Sequence, residues 1–139
     1  MVIQRIQTLM LIIAIITMAI FCCTPFAEST GPDGLTTAHF ATEAPALLTL
    51  NILVAALLFI IIFMYKNLRQ QMRMTLLALT LIGFNMVTCG FIIYRGFDNA
   101  TPILFGGVSL LVLTLLFVLL AYRSMSHDRR LLASADRLR

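Results

Sequence analysis

Polar residues along this chain do not alternate with apolar ones. They fall in clumps between four long apolar runs, roughly residues 6–26, 46–65, 74–94 and 102–122. None of these runs carries Asp, Glu, Lys, Arg or His in its interior. A helix needs about 20 mostly apolar residues to cross the hydrocarbon core of a bilayer. Runs of this length without a period of two exclude a barrel, so the pattern predicts four transmembrane helices.

Composition agrees with that pattern. Of 139 residues, 60% are hydrophobic and 12% charged, against about 25% charged in ordinary soluble domains. Four spans and one moderate loop use most of the length, which leaves no room for a separate soluble domain. The chain thus divides into a transmembrane domain, 1–122, with a loop at 27–45, and a tail, 123–139. The stretches between spans two and three and between spans three and four are short, so consecutive helices must be antiparallel neighbours. The predicted fold class is an all-α integral membrane protein, an antiparallel four-helix transmembrane bundle. Within the first loop, Gly31-Pro32-Asp33-Gly34 predicts a turn and a short hairpin. Pro45 and Pro102 suit the first turns of helices two and four.

Charge supplies an orientation. Arg5, Lys66, Arg69, Arg73, Arg123, Arg129, Arg130, Arg137 and Arg139 fall on one side of the four spans, and Arg95 alone on the other. By the positive-inside rule both termini are expected in the cytoplasm. The first span resembles a secretory signal, but cleavage after Ala27 would place Pro25 where a small residue is needed, and bulky Phe21 before Cys22 argues against a lipoprotein signal. A retained first helix is expected.

Candidate chemistry is sparse. Proton relays and ion paths need ionisable groups inside the spans, and the apolar runs have none. Helical haem proteins need intramembrane histidines, whereas His39 lies in a loop and His127 in the tail. Cys22, Cys23 and Cys89 contain no Cys-x-x-Cys pair, so they are read as small apolar packing residues. A bridge from Cys22 or Cys23 to Cys89 would require helices one and three to touch. Polar uncharged residues Thr49, Asn51, Asn85, Thr88 and Ser109 are read as packing groups, with Asn51, Asn85 and Thr88 as the alternative lining of a solute path. Thr80, Gly83, Val87 and Gly90, and also Gly106-Gly107, are small enough to let helices approach closely. Asn99-Ala100-Thr101 matches a glycosylation sequon by accident of composition. No catalytic, cofactor or metal site can be assembled, and nothing points to nucleic acid.

The two ends are more patterned. On a helical wheel Gln4, Gln7 and Thr8 share an arc of about 100°, with Arg5 pointing away from its centre. In the tail, Leu131, Leu132, Ala135 and Leu138 form an apolar stripe, and Arg129, Arg130, Asp136 and Arg137 occupy the other side. Arginines beside such a stripe suit an anionic cytoplasmic leaflet or a protein surface. The candidate partner or lipid contacts are therefore Gln4, Arg5, Gln7, Thr8, Asp128, Arg129, Arg130, Asp136, Arg137 and Arg139.

The start, Ile3-Gln-Arg-Ile-Gln-Thr8, and the end, Ser134-Ala-Asp-Arg-Leu-Arg139, resemble a family of small four-helix inner-membrane proteins of unknown function from Bacteroidota. The resemblance covers essentially the whole chain. Two departures are Val2 before the isoleucine and His127-Asp-Arg129 in place of Lys-Asp-Glu. It implies a bacterial inner membrane and four spans, and no activity. The functional expectation is a non-enzymatic accessory or scaffolding subunit of a larger membrane complex, with a membrane-protein partner. The alternative is a small homo-oligomeric transporter or channel for an uncharged or weakly polar solute.

Overall fold

The computed structural model describes residues 2–96, 99–102 and 104–138. Four helices dominate it: α1 (Val2–Cys23), α2 (Pro45–Phe63), α3 (Leu68–Arg95) and α4 (Ser109–Arg137). All four are long and apolar enough to cross a membrane, so the chain has the make-up of a multi-pass membrane protein. They form a ring in which α1 packs on α2, α2 on α3, α3 on α4 and α4 on α1. Both termini therefore lie at one end.

The all-α expectation needs a correction. The loop end carries a small antiparallel sheet of strand order β2-β1-β3, formed by β1 (Pro25–Thr30), β2 (Thr36–Phe40) and β3 (Ala100–Pro102). The anticipated turn is present, closed by Gly34 N–H donating to the Gly31 carbonyl at 3.0 Å. Gly34 has φ +74°, a conformation that glycine adopts without steric cost. The third strand was not foreseen. Ala100 and Pro102 oppose Ser29 and Ala27, so Pro102 ends a strand instead of starting a helix. As an edge position this suits proline, which has no N–H to give to a ladder.

Other boundaries also moved. Pro25 stops α1 before residue 26, because it begins β1 instead. Helix α3 begins at Leu68 rather than near 74, since Arg69, Gln70, Gln71 and Arg73 are good helix formers despite being polar. Between β3 and α4 lies a π turn, Leu104–Val108, with Gly106 at φ −111° and ψ −110°. A Cβ on Gly107 would stand 2.6 Å from Phe26 Cα and 2.9 Å from the Pro25 carbonyl oxygen. The glycine pair thus lets β1 sit on the start of α4, where a close approach of another helix had been anticipated.

The core follows a heptad. Buried positions are Leu47, Asn51, Val54, Leu58 and Ile61 on α2, and Leu111, Thr114, Val118, Ala121 and Met125 on α4. Spacings alternating between three and four residues describe a left-handed seam of knobs and holes. Size alone does not decide what lies inside, although Phe21 and Phe26 are fully buried. Phe59, Phe63, Phe84 and Phe91 face outward, while Ala14, Ala78 and Ala121 are buried. Lipid is as apolar as leucine, so small and polar residues mark the contacts between membrane helices.

The small-residue seam on α3 behaves otherwise. Thr80, Val87 and Gly90 are exposed, and a Cβ on Gly83 or Gly90 would meet nothing within 4 Å. These residues do not bring helices of the same chain together.

Candidate site at the paired termini and the buried polar clasps

Every contact of the helix ring contains a polar clasp. The Thr17 and Thr114 hydroxyls are 2.7 Å apart between α1 and α4. Asn51 Nδ2 on α2 donates to the Met18 carbonyl of α1 at 3.1 Å and also meets Cys22 Sγ at 2.7 Å. Asn85 Nδ2 on α3 donates to Asn51 Oδ1 at 3.3 Å, and Gln71 Nε2 to the Ile61 carbonyl at 3.2 Å. The Thr75 hydroxyl approaches Met125 Sδ on α4 at 3.6 Å while also donating to the Gln71 carbonyl. Interhelical hydrogen bonds of this kind contribute on average ~0.6 kcal/mol in a membrane. Their larger effect is to fix register, since a slipped helix would strand polar groups where no water reaches them.

Asn51 and Asn85 are 2% and 0% exposed, so the structure brings them together inside the bundle. Thr88 is not with them. It is half-buried and donates to the Phe84 carbonyl of its own helix. Thr49 and Ser109 likewise donate to carbonyls three residues earlier, which satisfies a hydroxyl without a partner helix. Three further clasps, Thr17–Thr114, Thr75–Met125 and Gln71–Ile61, are formed by residues outside the expected polar set. For Gln71 and Thr75 the signal lies in the heptad spacing of Gln71, Thr75, Ala78, Ile82, Asn85 and Cys89 on α3, and for Thr114 in that of Leu111, Thr114, Val118, Ala121 and Met125 on α4.

Cys22, Cys23 and Cys89 are free. Helices α1 and α3 stand diagonally across the ring, which removes the condition for a bridge between them.

At the termini end a second polar group assembles. Gln7 is buried and donates from Nε2 to Asp128 Oδ2, tying α1 to α4. Gln4, Gln7 and Thr8 line one cleft of about 490 Å³ with Tyr65, Lys66, Leu68, Gln71, Asp128, Leu131 and Leu132. The wheel arc at the start of α1 thus becomes one wall, while exposed Arg5 stays outside it. Among the described residues, the buried side-chain polar atoms lacking a hydrogen-bond partner are Asn85 Oδ1 and Asp128 Oδ1. Beyond Asp128 the tail continues α4 as a helix, with Arg129, Arg130, Asp136 and Arg137 exposed. Arg139 lies outside the described residues.

Among the described residues no group of three or more His, Cys, Asp or Glu is placed to hold a metal. His39 spends Nε2 on the Ser29 hydroxyl at 2.7 Å and Nδ1 on Glu43 Oε2 at 3.0 Å. The imidazole therefore serves the β1–β2 hairpin and the short 3-10 turn Ala41–Glu43 that follows it.

Comparison with curated proteins finds no match, and comparison with solved structures finds none either. A family model described as Domain of unknown function (DUF4293) matches residues 3–138. A match of that extent takes in all four helices and the sheet, and the chain belongs to this family.

Proposed function

We propose that the protein is a non-enzymatic accessory or scaffolding subunit of a larger bacterial inner-membrane complex, with both termini in the cytoplasm. The observation that carries this reading is the end of α4. A helix of 29 residues is about 43 Å long at 1.5 Å per residue, well beyond a hydrocarbon core of ~30 Å. Its surplus projects past the bundle with every position from Arg129 to Leu138 exposed. Leu132 and Leu138 are 61% and 90% exposed, beside Arg129, Arg130 and Arg137. A rigid amphipathic rod rooted in a membrane bundle suits docking against a partner's helix or groove.

Further support comes from the interior. Asn51 is paired through both amide atoms and Asn85 through its Nδ2 to groups of the same chain, which fits a packing role better than a path between copies. The orientation rests on the charge asymmetry across the spans. Native purification from membranes in mild detergent, followed by mass spectrometry, is expected to recover a stoichiometric membrane-protein partner, lost when residues 129–138 are removed. A stable monomer or homo-oligomer without such a partner would overturn the reading.

A further inference from the structure

The cleft at the termini end has a composition the accessory reading does not use. Its wall carries one carboxylate, Asp128, and one ammonium, Lys66, together with the amides of Gln4, Gln7 and Gln71 and the Tyr65 hydroxyl. Thr8 adds a hydroxyl, and the rest of the wall is apolar, from Leu68, Leu131 and Leu132. Gln7 occupies only one oxygen of Asp128; the other, Oδ1, is buried and has no partner. A buried carboxylate oxygen left without a donor is costly, and an ionised donor satisfies it best.

The cleft also sits at a defined depth. Tyr65 and Lys66 follow the apolar helix α2 just after its cap, Met64, the position at which aromatic rings and lysines meet the headgroup layer. A ligand that fits must therefore present an N–H-bearing cation to Asp128, an anion to Lys66 and an apolar chain to the leucines. A volume of about 490 Å³ falls in the ordinary range for small-molecule sites.

We propose that this cleft seats the headgroup of a phospholipid bearing a primary ammonium, with the ammonium on Asp128, the phosphate toward Lys66 and the acyl chain along Leu131 and Leu132. Phosphatidylethanolamine has this chemistry. Phosphatidylcholine keeps the charges but has no N–H to donate, and phosphatidylglycerol has no cation. The site thus discriminates by hydrogen bonding as well as by charge.

The test is native mass spectrometry of the full chain, delipidated in detergent and titrated with phosphatidylethanolamine, its N-monomethyl form, phosphatidylcholine or phosphatidylglycerol. Phosphatidylethanolamine should bind tightest, and phosphatidylcholine weaker by about tenfold, the scale of one charge-assisted hydrogen bond. The monomethyl lipid should fall between them. Asp128→Asn should bring phosphatidylethanolamine down to the level of phosphatidylcholine. Because the lipid series is read on the unmodified chain, misfolding of that variant leaves the proposal exposed to refutation. Equal binding across the series would overturn it.

Displacement by soluble phosphoethanolamine at matching concentrations would overturn the assignment to lipid. Loss of a protein partner in Asp128→Asn, with no lipid preference in the unmodified chain, would overturn it in favour of a protein side chain. Failure to recover any partner protein would count against the accessory role and leave these lipid readouts unchanged.

Discussion

At the sheet end, Ser29, Thr37, His39 and Glu43 form a hydrogen-bonded chain across β1, β2 and the turn that follows, with each link between 2.7 and 3.0 Å. At the termini end, Asp128 has Gln7 on one oxygen and nothing on the other. Both regions are polar caps on the same apolar bundle, yet the first pairs these four side chains with one another and the second leaves a buried carboxylate oxygen without a donor beside a cleft. The difference is one of construction. A sheet satisfies its own backbone and can rest flush on the helix ends, as β1 does against Gly107. At the other end the start of α1, the α2–α3 connection, the start of α3 and the tail of α4 leave a cleft between them.

The largest effect should come from disturbing the sheet's seat. Gly107→Val forces its side chain against Phe26 and Pro25, and overpacking of this kind costs about 1–3 kcal/mol or more. Thermal unfolding in detergent should show a clear loss of stability. Gly90→Ala, where a Cβ meets nothing within 4 Å, should change stability by less than about 0.5 kcal/mol. Equal effects from the two would remove the close approach as the reason for glycine at 107.

Next in size is the clasp between the two caps. Asn51→Leu removes the bonds to Met18 and Asn85 and leaves Asn85 buried with neither amide atom paired, a loss of about 1–3 kcal/mol. Adding Asn85→Leu should recover part of it, since an apolar pair strands nothing. A double-mutant cycle measures the coupling, and strictly additive losses would argue that the two residues act independently.

A smaller change is expected from Gln7→Leu. It frees the second oxygen of Asp128, with a stability loss on the order of 1 kcal/mol, and should raise hydrogen exchange in the last turns of α4 without altering membrane insertion. Unchanged exchange there would mean that the Gln7–Asp128 bond does not hold the tail. His39→Ala should be the mildest. Its partner Glu43 is exposed, where ion pairs contribute only about 0–1 kcal/mol, and lipid binding at the opposite end should be unaffected. A change in lipid preference with His39→Ala would break the distinction between the two ends.

How much of this was legible differs by region. The four spans were readable because a membrane helix announces itself by length alone, and Gly31-Pro-Asp-Gly34 announced its turn through the demands of positive φ. Strand β3 was not, because Ala100-Thr-Pro102 has no strand pattern of its own and becomes one only by lying beside β1. Helix α3 is longer than its apolar run because hydropathy reports the bilayer, while Arg69 and Arg73 continue the helix beyond that run. The polar arc of Gln4, Gln7 and Thr8 was visible on a wheel, but its companions Tyr65, Lys66 and Gln71 come from other segments and share no sequence signal with it.

By itself, then, the sequence determined that four helices long and apolar enough to cross a membrane would form and that short connections would make neighbours antiparallel. Hydrophobicity and chain length are local properties, so they survive without knowledge of the fold. Only the tertiary structure decided which face of each helix turns inward, because in lipid both faces are apolar and no hydrophobic gradient distinguishes them. It also decided that α1 and α3 stand apart, that β3 closes the sheet, and that Gln7 of the first helix meets Asp128 of the last. Those outcomes depend on polar groups finding partners across long separations in sequence, which no single segment can specify.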